Sequence, residues 1–73
     1  MSDVKVSLGN RIKQLRKAKG ISQETLALKV ELDRTYIASV ENGKRNISII
    51  NIQKICNGLE ISLKDFFSGE EFL

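Results

Sequence analysis

Two short runs hold the side chains of this sequence best suited to recognising another molecule. They are Asp33-Arg34-Thr35-Tyr36, with Ser39 following, and Gly43-Lys44-Arg45-Asn46. An arginine guanidinium is a planar fork that can bond guanine O6 and N7 together, and a threonine can hydrogen-bond a base edge or touch a thymine methyl. That chemistry is recognition rather than catalysis. The chain has no histidine, no glycine-rich phosphate loop and no pair of catalytic carboxylates, so an enzyme is not expected. The single cysteine, Cys56, has no disulfide partner and no zinc-binding companions, and it reads as a small buried hydrophobe. No metal and no cofactor are expected, and a reducing cytoplasm fits.

Charge is unevenly distributed. The formal net charge is +3, which permits nucleic-acid binding without arguing for it. Residues 1–20 carry Lys5, Arg11, Lys13, Arg16, Lys17 and Lys19 against Asp3 alone, whereas residues 60–73 carry Glu60, Asp65, Glu70 and Glu71 against Lys64. The acidic end should stay away from phosphate. An N-terminal region broken by charges matches neither a signal peptide nor a membrane span, so no membrane partner is expected. At 73 residues the chain makes one domain, covering 1–73. That size is marginal for a single core, and dimerisation is one remedy.

The elements that must position these groups are helical. Leu8, Ile12 and Leu15 follow one helical face, predicting a first helix over roughly 6–19 that stops at Gly20. Ser22 can cap a second helix through Leu26, Ala27 and Val30, and Asp33 a third with Ile37 and Val40, ended by Asn42-Gly43. Ser48 can cap a fourth, bearing Ile49, Ile52, Ile55, Cys56 and Leu59 and ending near Gly58, and Ser62 a short fifth with Leu63, Phe66 and Phe67. A strand competes only at Ile47–Ile52, where the apolar spacing favours helix. The fold class is therefore all-α, a compact five-helix bundle.

The second and third helices are short and separated by two or three residues, which forces a steep crossing, and the small Ala27 permits close approach. With Ile37 and Val40 turned inward, Arg34, Thr35, Tyr36 and Ser39 fall on the outer side of the third helix. Its N-terminal end is the end a recognition helix inserts into a major groove. Tyr36 has the competing reading of a ring packed on the helix pair. Lys13 and Lys17 read equally well as a solvated face. Arg11 and Arg16 suit either phosphate or internal ion pairs, Arg16 with Glu41.

The stretches Gly20-Ile21-Ser22-Gln23-Glu24-Thr25-Leu26-Ala27, Leu32-Asp33-Arg34-Thr35-Tyr36-Ile37 and Glu41-Asn42-Gly43-Lys44-Arg45 resemble the phage repressor/Cro class of helix-turn-helix domains. Within that class, Asp33-Arg34-Thr35-Tyr36-Ile37 and Arg45-Asn46 are most similar to the controller proteins of restriction-modification systems. The resemblance covers about residues 8–67. It implies a lambda-repressor-like bundle and a transcriptional regulator that binds a palindromic double-stranded DNA operator as a dimer, in the cytoplasm at the nucleoid. It also implies that Gln23 holds a phosphate, that Arg34, Thr35, Tyr36 and Ser39 face base edges, and that Lys44, Arg45 and Asn46 meet the DNA backbone. RNA polymerase is a further candidate contact. The sequence departs from the family where glycine is usual, with Glu31 at the turn and Glu60 before the last helix. Left-handed backbone there would cost about 1–2 kcal/mol, so either the turns differ or stability is lost. A lysogeny-type repressor or an antitoxin-like regulator is the rival among DNA binders. A protein-interaction adaptor is the rival of another class.

Apolar surplus gathers near the C-terminus. Ile50 lies off the inner face of the fourth helix, and Phe72 and Leu73 lie beyond the fifth. A dimerisation region over about 47–73 is expected, with a two-fold interface drawn from Ile50, Leu63, Phe66, Phe67, Phe72 and Leu73. The competing reading closes the monomer core with Phe66 and Phe67.

Overall fold

A computed structural model describes residues 3–73. The order is α1 (Val4–Ala18), α2 (Gln23–Val30), α3 (Arg34–Glu41), α4 (Ile49–Leu59), α5 (Leu63–Phe66) and a 3₁₀ turn over Glu70–Phe72. The described residues contain no strand, so the isoleucine-rich stretch at 47–52 leads into a helix. None of their helices is long and apolar enough to cross a membrane.

Side-chain caps explain where each helix begins. Ser22 accepts from the Thr25 amide, Asp33 from Thr35, Ser48 from Asn51 and Ser62 from Asp65, each satisfying an amide with no partner inside the helix. Asp3 does the same for Lys5, so α1 starts two residues before the expected boundary of 6. Gly20 and Gly43, both at φ 72°, follow α1 and α3 in left-handed backbone that glycine adopts freely. At the ends of α2 and α4 the same conformation falls on Glu31 and Glu60, both at φ 58°. The turns thus keep the glycine-type geometry despite the substitution, and of the two alternatives the sequence left open, the energetic cost applies.

One core joins the helices. Ile12, Leu26, Ile37, Val40, Ile55, Cys56, Leu59 and Phe66 are fully buried at its centre, and Ala27, Val30 and Ile52 close around them. Burial pushes the Cys56 thiol up from its ordinary pKa, in keeping with a packing role. Two glycines set interhelical distances. A Cβ on Gly9 of α1 would stand 2.2 Å from the Val40 carbonyl oxygen, and one on Gly58 of α4 would stand 2.4 Å from Val30 Cγ1. Gly58 lies on the last turn of α4, which ends at Leu59, next to the expected boundary.

Two apolar assignments change and two more are narrowed. Phe66 is 0% exposed and belongs to the monomer core, so it is not an interface residue. Ile49, expected on the inner stripe of α4, is 58% exposed beside Ile50 at 69%, because α4 begins at Ile49 and its first turn projects past the core. Phe72 is half-buried, its ring 5.1 Å from Phe67 and 6.0 Å from Phe66, and Leu63 is also packed against the core. Arg11 ties α1 to the end of α5, just before this last segment. Its Nε donates to the Phe66 carbonyl and its Nη2 to that of Asp65, both at 2.8 Å, while Nη1 bonds Gln14. Arg11 thus satisfies carbonyls at the end of α5 and is not placed for phosphate.

Candidate nucleic-acid interface

The two ends of α3 are built differently. At its C-terminal end Glu41 is buried and accepts Arg16 Nε at 2.7 Å and Nη2 at 3.0 Å, a bidentate pair, while Arg16 Nη1 donates to the Ile21 carbonyl at 2.8 Å. The hydrogen bonds to Glu41 raise the pKa of Arg16 above its ordinary value, fixing its charge. The expected Arg16–Glu41 pair is therefore present, and it links α1, the α1–α2 turn and α3.

Gln23, first residue of α2, joins this cluster through Nε2, which donates to Glu41 Oε1 at 3.0 Å. A carboxylate only accepts, so the amide nitrogen must face it and one N–H remains for another acceptor. Gln23 lies beside the last turn of α3, about 10 Å along the axis from Arg34 at 1.5 Å per residue. The bond to Glu41 thus places Gln23 at the end of α3 opposite Arg34 and Thr35.

At the N-terminal end, Arg34 and Thr35 are exposed on the first turn of α3, consistent with Ile37 and Val40 facing the core. Tyr36 is half-buried, and its hydroxyl accepts from Asn51 Nδ2 of α4 at 3.1 Å. Arg45 lies over its ring, with the guanidinium carbon 4.9 Å from the centroid, a cation–π contact that brings the basic loop to the reading helix. The packed reading of Tyr36 therefore holds in part, and its ring also reaches the surface. One face packs on the helix pair and the other borders an open hollow of about 300 Å³ lined by Leu32, Asp33, Thr35, Tyr36, Arg45 and Asn51. Ser39, on the next turn, is partly exposed, and Lys44 and Asn46 are exposed in the loop beside Arg45.

Thr35, Tyr36 and Arg45 are thus brought to one hollow, with Arg34 on the same exposed turn. Asn51 was not foreseen as a participant. A polar residue on the first turn of α4 gives no sequence signal that its amide will reach Tyr36.

A helix-turn-helix family model matches residues 12–66. The chain is 51% identical to control protein C.MunI of Mycoplasma sp over 72 residues, 97% of each chain. Among solved structures, the restriction-modification controller protein C.AhdI from Aeromonas hydrophila superposes with a TM-score of 0.83 at 48% identity, covering 86% of this chain and 91% of that one. The controller protein C.Esp1396I, as a tetramer in complex with its natural 35 base-pair operator, superposes at 0.86 with 41% identity, covering 93% and 90%.

Proposed function

We propose that this chain, which belongs to the helix-turn-helix family and to its restriction-modification controller branch, is a sequence-specific DNA-binding regulator of transcription that occupies a palindromic operator as a homodimer. The observation that carries this reading is the shared hollow. The first turn of α3 and the Arg45 loop border one concave surface, which offers base-reading and phosphate-holding groups together. In this reading Arg34, Thr35, Tyr36 and Ser39 meet base edges, while Gln23, Lys44, Arg45 and Asn46 hold phosphates. Gln23 then grips the backbone a helix length away, with the N–H left free by Glu41. The protein works in the cytoplasm, at the nucleoid.

Dimerisation is assigned to the region about 47–73, on the exposed apolar side chains left once Phe66 is in the core. Ile49, Ile50, Phe67 and Leu73 are the exposed members, with Leu63 and Phe72 at the margin. Ile50→Lys should give a folded monomer with weakened operator binding, because a charge on a self-pairing patch meets its own copy. Sedimentation equilibrium checks this, and a wild-type chain that stays monomeric at hundreds of micromolar would remove the dimer.

The reading of DNA is tested by two substitutions that must differ in kind. Arg34→Ala should cost about 1–3 kcal/mol on the operator and relax preference at one symmetric pair of positions. Arg45→Ala should weaken operator and random duplex nearly equally, and flatten the slope of log affinity against log salt by about one unit per subunit. Uniform loss for Arg34→Ala with altered base preference for Arg45→Ala would reverse the assignment.

A further inference from the structure

A threonine hydroxyl in a major groove is ordinarily ambiguous, since it donates one hydrogen bond and accepts others. At Thr35 that ambiguity is removed. Asp33 Oδ1 receives both the Thr35 amide, at 2.9 Å, and the Thr35 hydroxyl, at 2.5 Å. An ionised carboxylate cannot donate, so the proton of this pair belongs to Thr35 Oγ1 and points back along the chain. These bonds, with the nearby charge of Arg45, hold the Asp33 carboxyl below the usual carboxylate range. A hydrogen bond to an ionised acceptor is about twice as strong as one between neutral groups, so turning the proton toward a neutral base would exchange a stronger bond for a weaker one. Thr35 is exposed and borders the hollow, so what it presents outward is its oxygen lone pairs and its methyl.

We infer that Asp33 fixes Thr35 as a hydrogen-bond acceptor, so that Thr35 selects a base carrying an exocyclic amino group, adenine N6 or cytosine N4, over the keto bases guanine and thymine on the strand it faces. The inference rests on the DNA-binding reading above and adds a polarity to it. Asp33 acts as a positioning residue that never touches DNA, and Thr35 is the group that reads. The neighbouring side chain has the opposite polarity, because Arg34 can only donate and so requires acceptors such as guanine O6 and N7. Two adjacent residues then read complementary base types, and the sign of the second is set by the residue that caps the helix.

The test uses the full-length protein and an operator that wild type selects from a randomised duplex library. At each adenine of the half-site, purine is substituted, and at each cytosine, 2-pyrimidinone, so that only the exocyclic amino group is lost. Wild type should lose about 3- to 10-fold per half-site at one position, and the analogue that causes the loss identifies adenine or cytosine. Thr35→Val keeps the shape and methyl but has no lone pair, and should bind the natural and analogue duplexes alike at that position. Asp33→Asn retains a good helix cap but can donate to Thr35, and should reduce the amino-over-keto preference there to within about twofold while leaving Arg34's position unchanged.

The polarity is overturned if no amino group couples to Thr35→Val, if the coupled position is guanine or thymine, or if folded Asp33→Asn keeps the full preference. Circular dichroism checks folding, and were Asp33→Asn unfolded, the Thr35→Val comparison decides alone. A selected operator with an Arg34-dependent guanine but no Thr35-dependent amino group would sink the polarity and leave DNA recognition standing. A wild type that enriches no sequence would sink both.

Discussion

The two ends of α3 contrast in almost every physical respect, although only eight residues separate capped start from buried finish. At the C-terminal end Glu41 is closed off from solvent, and Arg16 and Gln23 donate to both its oxygens. At the N-terminal end Arg34 and Thr35 stand in the open, and Arg34 has no hydrogen-bond partner among the described residues. A short helix cannot supply rigidity from its own backbone bonds, because isolated helices of this length are unstable in water. The buried end supplies it through tertiary contacts, and the open end presents its groups held only by its cap at Asp33 and by the Tyr36 contacts to Asn51 and Arg45. Stability and recognition are therefore separable along one helix, and each can be broken alone.

The largest break is expected at the closed end. Glu41→Ala leaves the Arg16 guanidinium buried without its carboxylate, which should cost about 3–5 kcal/mol, measured by urea denaturation. A loss below about 1 kcal/mol would mean that Arg16 escapes to water and the end is not a fixed base. Next is Gly9→Ala. Its added carbon would sit 2.2 Å from a backbone oxygen of α3 that cannot swing aside, so α1 and α3 must separate, at about 1–3 kcal/mol. Thermal melts of that variant should shift while its base preference, once bound, stays that of wild type. The smallest effect lies at the open end and appears only in acid. With its folded-state pKa depressed, Asp33 contributes its cap fully above the unfolded carboxyl value of about 3.9, and the contribution disappears as pH falls through the lower folded value. The stability gap between wild type and Asp33→Ala should hold steady from neutral pH down to about 5 and then close in more acidic buffer. A gap that widened on acidification would show that the carboxylate is not what caps α3.

Most of the helical framework was legible in the sequence, because its caps and apolar stripes are local and periodic. Ser22, Asp33, Ser48 and Ser62 each cap the helix expected of them, Ala27, Ile37 and Val40 lie where their spacing puts them, and Arg16 meets Glu41. The apolar C-terminal region was less legible. Phe66 ends a helix of four residues and Phe67 is its C-cap, a stretch too short for periodicity to say which one faces inward. Ile49 satisfied the helical spacing of α4 yet lies on its first turn, and whether that turn reaches the core depends on how α4 is docked. The Arg11 clamp on α5 and the Asn51 bond to Tyr36 join residues far apart in sequence, for which no local pattern exists. At the candidate interface the outward face of α3 was readable from Ile37 and Val40. The stacking of Arg45 on Tyr36 was not, because it depends on the path of an irregular loop.

The glutamates at φ 58° have a bearing on how long the protein lasts in a cell. Left-handed backbone at a residue with a Cβ costs about 1–2 kcal/mol, and a glycine would recover only part of that because it has more freedom to lose on folding. A net cost of about 1 kcal/mol at each turn raises the unfolded population roughly fivefold, and both turns together about 25-fold. Proteases act on that population, so conformational strain at two surface turns becomes a clearance rate. Glycine at Glu31 or Glu60 should therefore slow proteolysis, through a cost set in the backbone and independent of any residue that would meet DNA.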